Sequence, residues 1–385
     1  MESVTATKKK KFSLPKLQFK QRGRIDFLLL LSITVLCAIG LVMVFSASYY
    51  YAAHTQNDGF YYLKRQAGFM ALGYVAMLLL SRMNFRVISK LDWVFIAVSI
   101  FLLVAVLLFG QVKNEGKRWL EVGGISLQPA EMAKFGMMFF MCSYMAKHQR
   151  EMKSLKCCLV LLGIIGVLCG LVILQPNMSM AVIIGMSGVI LMFLGGVDIK
   201  YLVVIGVLAI IAFVVLVQAA DYRMDRMLTF RNPEQDPLGS GYQLIQSFYA
   251  IGSGGIFGKG LNNSYQKLLY MVYGESDFIY AIICEELGLI GGVTLILLYA
   301  FVVYRGMRVA LRCRSRFGSL LAAGISITFG LQAFINIGVV TGLLPTTGQT
   351  LPLVSAGGTS LLVFCSAMGI LLNISREIDP AVMPA

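Results

Sequence analysis

The sequence predicts an all-α polytopic membrane protein of about ten transmembrane helices, with a long extracellular loop between the seventh and eighth. Three observations carry that prediction. The chain is 58% hydrophobic and only 14% charged over 385 residues, against about 25% charged in soluble domains. Apolar runs long enough to span a bilayer, about 18 residues or more, recur along the whole length. Those runs lack the period-two alternation of a β-barrel.

The apolar segments fall at roughly 27–48, 66–81, 91–110, 130–146, 157–174, 178–196, 201–218, 278–304, 318–340 and 351–374. Residues 1–26 form a basic tail, 27–376 the membrane domain with its outer loop at 218–277, and 377–385 a short C-terminal tail. No small-residue cleavage site follows the first apolar run, so it reads as a retained helix rather than a removed signal peptide. With both termini cytoplasmic, 22 of the 33 lysines and arginines lie on the cytoplasmic side, as topology by positive charge requires. The net charge of +14 then belongs to membrane orientation and anionic lipid, not to nucleic acid.

Cysteine and histidine point to no special chemistry. The eight cysteines lie in apolar spans or beside basic loops and read as small buried hydrophobes. His54 and His148 are far apart and near no acid or cysteine cluster, so no zinc site is expected. Almost no charge falls inside the spans apart from Glu131, Lys134, Glu285 and Glu286, with Asp92 near an inner end. An ion-coupled transporter usually has ionisable groups at the midplane.

Three outward stretches carry unusual residues. The first is NEGKRWLEVGGISLQPAEMAK at 114–134. There Lys117 and Arg118 precede the fourth span, Trp119 suits an interfacial anchor, and Pro129 suits a first helical turn. Glu131 and Lys134 share a helix face, as an internal ion pair or as a cationic rim for an anionic lipid headgroup. The second stretch is the loop 218–277. Its YRMDR segment at 222–226 supplies Arg223 and Arg226, and NPEQDP at 232–237 reads as turns. Leu244, Ile245, Phe248 and Ile251 recur at helical spacing, predicting an amphipathic helix, with Gln243, Gln246 and Ser247 largely off its apolar face. GSGGIFGKG at 252–260 permits close backbone approach. A second helical piece is expected over 264–273, carrying Gln266 and Lys267. The third stretch, 336–360, reads as broken or re-entrant backbone, with Asn336, Gln349 and Ser355 satisfying that backbone or contacting a sugar.

Asp277 closes the long loop where the eighth span begins. A carboxylate there suits a helix cap or a catalytic group. Glu285 and Glu286 lie about 12 Å deeper on the same helix, too far for a carboxylate pair with Asp277.

The sequence resembles the SEDS family (shape, elongation, division and sporulation), in its division and sporulation branch. The resemblance rests on KRWL with QPAE (117–131), YRMDR through FRNP (222–233), GYQLIQSFYAIGSGG (241–255) and SYQK (264–267). It continues in SDFIYAIICEELGLIGG (276–292) and NIGVVTGLLPTTGQTLPLVSAGGTSLL (336–362), spanning nearly the whole chain. It implies a ten-helix peptidoglycan glycosyltransferase of the bacterial cytoplasmic membrane that polymerises lipid II at the outer face, in cell division or sporulation. The family's essential aspartate matches Asp277 in AspPheIleTyr. As general base, Asp277 would take the proton of the acceptor's 4-hydroxyl, while cations stabilise the departing pyrophosphate.

Lys117, Arg118, Glu131, Lys134, Arg223, Arg226, Gln266 and Lys267 are the expected substrate-binding residues. No protein-held metal site or certain cofactor is implied, although a divalent cation (Mg or Mn) could share the charge stabilisation. Implied partners are a class B penicillin-binding protein transpeptidase and other divisome or sporulation proteins. A lipid II flippase and a non-catalytic scaffold for a transpeptidase are the alternatives. The chain departs from the family pattern at Glu275–Ser276, where His-Thr is frequent, at Asn177, where aspartate is frequent, and at Thr347, where some division members carry lysine.

Overall fold

The computed structural model describes residues 23–378, apart from 114–115, 124, 238, 240, 269 and 272–273. The N-terminal tail up to residue 22 and the C-terminal tail from residue 379 lie outside the described residues.

Helix α1 (Phe27–Gln56) starts where Asp26 accepts from Leu29 N at 3.0 Å. The same carboxylate pairs with Arg305 at 2.7 Å, and Asp26 N donates to Ser375 Oγ, so three distant segments meet at one charge pair. Next come α2 (Tyr61–Leu80) and α3 (Asp92–Phe109). A meander of β1 (Gln111–Lys113), β2 (Gly116–Val122) and β3 (Ile125–Leu127) then pairs antiparallel. The sequence pattern predicts no strands over this stretch. Three-residue edge strands are too short for periodicity to announce.

Helix α4 (Pro129–Lys147) has its proline in the first turn, as expected. Then follow α5 (Leu155–Leu174), capped by Ser154, α6 (Met178–Gly195), capped by Asn177, and α7 (Ile199–Gln218), capped by Asp198. The outer loop holds α8 (Asp221–Arg231) and α9 (Tyr242–Gly254). The chain finishes with α10 (Ile279–Arg312), α11 (Arg316–Val340) and α12 (Gly358–Ser375).

Ten of these helices have 18 residues or more, one for each apolar segment, and eight are long and apolar enough to cross a membrane. Helices α4, α11 and α12 are the most buried and form the centre. Helix α7 is apolar all round yet buries few residues, leaving Val203, Val207, Ile210 and Val214 exposed. In water that surface would be untenable; in lipid it is the expected outer face.

The predicted amphipathic helix forms as α9, but its buried face differs from expectation. Ser247 is fully buried and donates to the carbonyls of Leu244 and Val340, while Phe248 is exposed. Small residues line this face because α9 crosses α10 closely: a Cβ on Gly254 would lie 2.1 Å from the Cys284 carbonyl oxygen. The helical piece expected over 264–273 does not form in its described part, which consists of turns and bends.

Helix α10 is broken at Gly288 (φ 68°, ψ −169°). The break frees main-chain groups that the glycine-rich loop satisfies. Lys259 N and Gly260 N donate to the carbonyls of Glu285 and Glu286 at 3.0 and 2.9 Å, and Leu289 N donates to Gly255 O at 2.9 Å. A broken helix is stable in a bilayer only when its freed groups find such partners.

The segment between α11 and α12 is non-helical; its second half is buried, with Leu351, Leu353 and Val354 at 2% exposure or less, while Leu343 and Gly348 in its first half are exposed. The irregular backbone expected at 336–360 is therefore confined to 341–357, and the last helix starts at 358 rather than 351. Leu353 has a positive φ of 67°, outside the right-handed helical region, so a helix cannot run through it from 351.

Candidate active site

Asp277 sits in a turn before α10. The helix begins at Ile279 with Phe278 in the capping position and no side-chain cap. Asp277 is thus not the helix cap. Its Oδ1 instead accepts from Ser276 Oγ at 2.7 Å. Although part of the residue stays accessible, burial dominates and pushes its pKa above the ordinary aspartate value. The Ser276 hydrogen bond and the positive charges of Arg118 and Arg226 pull the other way.

Beside this carboxylate lies a cavity of about 260 Å³ between α6, α7, α8, α11 and the 344–348 segment. Gly348 joins the two: it lines the cavity, and a Cβ there would lie 3.3 Å from Asp277 Oδ2. Arg118, Arg223 and Arg226 form the charged part of the wall, and Val182, Met186, Phe213, Leu331 and Phe334 form an apolar part. Arg118 reaches the cavity from β2, with Nε donating to Gln175 O at 3.3 Å and Nη2 donating to Pro176 O. Arg223 Nη1 donates to Leu216 O at 2.8 Å, which turns α8 back onto the end of α7. Arg226 lies one turn further on α8 and is exposed. Such a space suits an anion attached to a hydrocarbon chain.

The other expected binding residues lie elsewhere. Lys134 is fully buried, donates to Glu131 at 2.7 Å and Gln332 at 2.6 Å, and stacks over the Phe364 ring at 4.3 Å. Glu131 and Lys134 therefore form the internal ion pair rather than a rim. Lys267 is buried against Glu286 (3.0 Å), Asn262 and Ser46. Its neighbour Gln266 donates its main-chain N–H to Glu285 at 3.3 Å. Glu285 also accepts from Lys259 Nζ and Tyr265 N, so both glutamates anchor the outer loop to α10. Lys117 is exposed, and strand alternation sends it to the face opposite Arg118.

Nothing in the sequence pattern singles out Phe213, Leu331, Phe334, Thr346 or Gly348 as lining a site. Apolar residues inside a span carry no signal that tells a cavity wall from a lipid face. The PTTG segment at 345–348 is the one available hint.

The described residues offer no all-protein cage for a divalent cation, and an ion held by one carboxylate together with phosphate oxygens would need none. Among the described residues no group of three or more His, Cys, Asp or Glu side chains gathers, and Asp277 is opposed by arginines.

Fold and site together define a multi-pass helical membrane protein with a carboxylate beside a cationic, apolar-walled cavity. The chain belongs to the FtsW/RodA/SpoVE family, whose model, described as a cell cycle protein, matches residues 27–379. It is 39% identical to stage V sporulation protein E of Bacillus subtilis over 91% of this chain and 97% of that protein. It is 40% identical to a probable peptidoglycan glycosyltransferase FtsW of Trichlorobacter lovleyi, over 92% of this chain and 94% of that one. Among solved structures it resembles a chain of a peptidoglycan synthase complex that coordinates polymerization and crosslinking. That match has a TM-score of 0.75 and 27% identity, over 91% of this chain and 98% of the other. The rod shape determining protein RodA of Thermus thermophilus aligns with a TM-score of 0.68 and 25% identity, over 92% of this chain and 97% of that one.

Proposed function

We propose that this chain is a peptidoglycan glycosyltransferase that polymerises lipid II at the outer face of the bacterial cytoplasmic membrane. The observation that carries the reading is the placement of Asp277 against Gly348, at a cavity walled by Arg118, Arg223 and Arg226 on one part and by apolar side chains on another. A polyprenyl pyrophosphate has both features: an anionic head and a hydrocarbon tail. Family membership and relatives named as peptidoglycan glycosyltransferases support it.

In this reading Asp277 accepts the proton of the acceptor sugar's 4-hydroxyl as that oxygen attacks the donor's anomeric carbon. The bond to the pyrophosphate breaks, and the arginines stabilise the charge that develops on the leaving group. Pyrophosphate leaves well without a proton, so one carboxylate suffices. Direct displacement inverts the anomeric centre and gives β-linked glycan.

The topology proposed has ten spans, both termini in the cytoplasm, and residues 218–277 outside. The partner proposed is a class B penicillin-binding protein transpeptidase, within a division or sporulation complex. The likeness to a complex that couples polymerization to crosslinking supports it.

The test is polymerisation of labelled lipid II by purified protein with its cognate transpeptidase. Wild type should make glycan strands, and Asp277→Asn should lose activity by at least about 100-fold. Full polymerisation by that variant would remove the catalytic assignment. Wild type that moves lipid II between leaflets of proteoliposomes but makes no glycan would be a flippase instead.

A further inference from the structure

We propose that Asn336 and Ser355 are positioning residues for the Asp277 carboxylate, acting on it through the main chain. This deepens the glycosyl-transfer reading and rests on it. Three consecutive carbonyls around the carboxylate each accept from a different donor. Glu275 O accepts from Ala356 N at 2.9 Å, Ser276 O from Ser355 Oγ at 2.6 Å, and Asp277 O from Asn336 Nδ2 at 2.7 Å.

Residues 274–278 form turns rather than a helix or strand, so their carbonyls need partners from outside the segment. Both donor side chains are buried, Asn336 at 1% exposure and Ser355 at 3%. They are also held in turn. Asn336 Nδ2 donates a second time, to Gln349 O at 2.7 Å. With two carbonyls to face, only the NH₂ end of the amide can point there. Among the described residues Asn336 Oδ1 is buried without a hydrogen-bond partner.

Ser355 Oγ accepts from Leu351 N at 2.8 Å, and Gln66 Nε2 on α2 donates to Ser355 O at 3.1 Å. One turn before Asn336, Gln332 donates to Thr350 O at 3.1 Å and accepts from Lys134 at 2.6 Å. The 349–356 segment is thereby pinned to α2, α4 and α11. It in turn holds the main chain of 275–277 in register while the side chain of Asp277 stays against Gly348. A base on a turn gains its accuracy from such support, and loss of about 1 Å of placement costs on the order of 100-fold in rate.

The test uses full-length protein with its transpeptidase, measuring kcat and KM for lipid II together with thermal unfolding. Asn336→Leu removes both donations at similar volume, and Ser355→Ala is the milder variant in case the first does not fold. Each should lower kcat, by about 100-fold and about tenfold respectively, with KM within about twofold of wild type. A KM rise that accounts for the loss would make these residues substrate contacts and overturn the proposal. So would wild-type kcat in Ser355→Ala and Asn336→Leu while Asp277→Asn is inactive; that result leaves the catalytic reading standing. Inactivity of wild type itself would instead sink the glycosyl-transfer reading.

Discussion

Gly258 and Gly288 cross with no room for a side chain on either. A Cβ on Gly288 would lie 2.3 Å from Gly258 N, and one on Gly258 would lie 2.2 Å from Glu286 O. Both also have positive φ, 78° and 68° respectively. Here the outer loop docks into the break of α10, which follows the clamped carbonyls of 275–277 along the chain.

Alanine at either glycine meets a main-chain clash and a left-handed backbone together. Each strained residue costs about 1–3 kcal/mol, and the obstructing atoms are main chain that cannot swing aside. We expect Gly288→Ala and Gly258→Ala to lower the thermal midpoint of purified protein by several degrees. Gly252→Ala, inside α9 with open space around its Cβ position, should hold or slightly raise the midpoint. Equal midpoints for all three would contradict the close crossing.

The Glu131–Lys134 pair is sealed, at 2% and 0% exposure. Removing one partner strands a buried charge and typically costs about 3–5 kcal/mol, whereas replacing both with apolar residues of similar size is often neutral. Lys134→Met and Glu131→Gln should each destabilise strongly, and Glu131→Leu with Lys134→Met should recover much of the loss in a thermal-shift assay. Single variants that unfold like wild type but bind lipid II more weakly would return the pair to the substrate site.

Burial raises the pKa of Asp277, so its pH dependence has a definite sign. A raised folded-state pKa gives a contribution to stability that is present below the unfolded value and lost as pH rises through the folded one. Wherever the carboxylate is ionised it therefore costs stability, and Asp277→Asn should match or exceed the wild-type thermal midpoint while inactive. Because a base must be ionised, kcat/KM should fall on the acid side with an apparent pKa above the ordinary aspartate value. An acid limb below that value, or a clearly destabilised Asp277→Asn, would contradict the burial argument.

Hydropathy located the ten long helices because lipid imposes length and apolarity on each segment independently. Helix ends were less legible. Helix α10 runs to Arg312, beyond the expected 304, because a helix can continue past the apolar stretch. The meander at 111–127 and the failed helix at 264–271 were illegible for another reason. Short elements take their form from the surface they dock on, here the α5–α6 turn for Arg118 and the buried carboxylate of Glu285 for Tyr265.

Within the candidate site, the sequence by itself determined the residue types: Asp277 at the loop's end, arginines at 118, 223 and 226, and glycines where backbones must touch. Those follow from local chemistry and from spacing along one chain. Only the tertiary structure decided which charges face the cavity and which are consumed inside the protein. Arg118 and Arg226 act on Asp277, whereas Lys134 and Lys267 are committed to Glu131 and Glu286. The physical reason is that a cation's role depends on the nearest anion, and here a partner three residues away in Glu131 or across the bundle in Glu286 reaches the lysine before any ligand can.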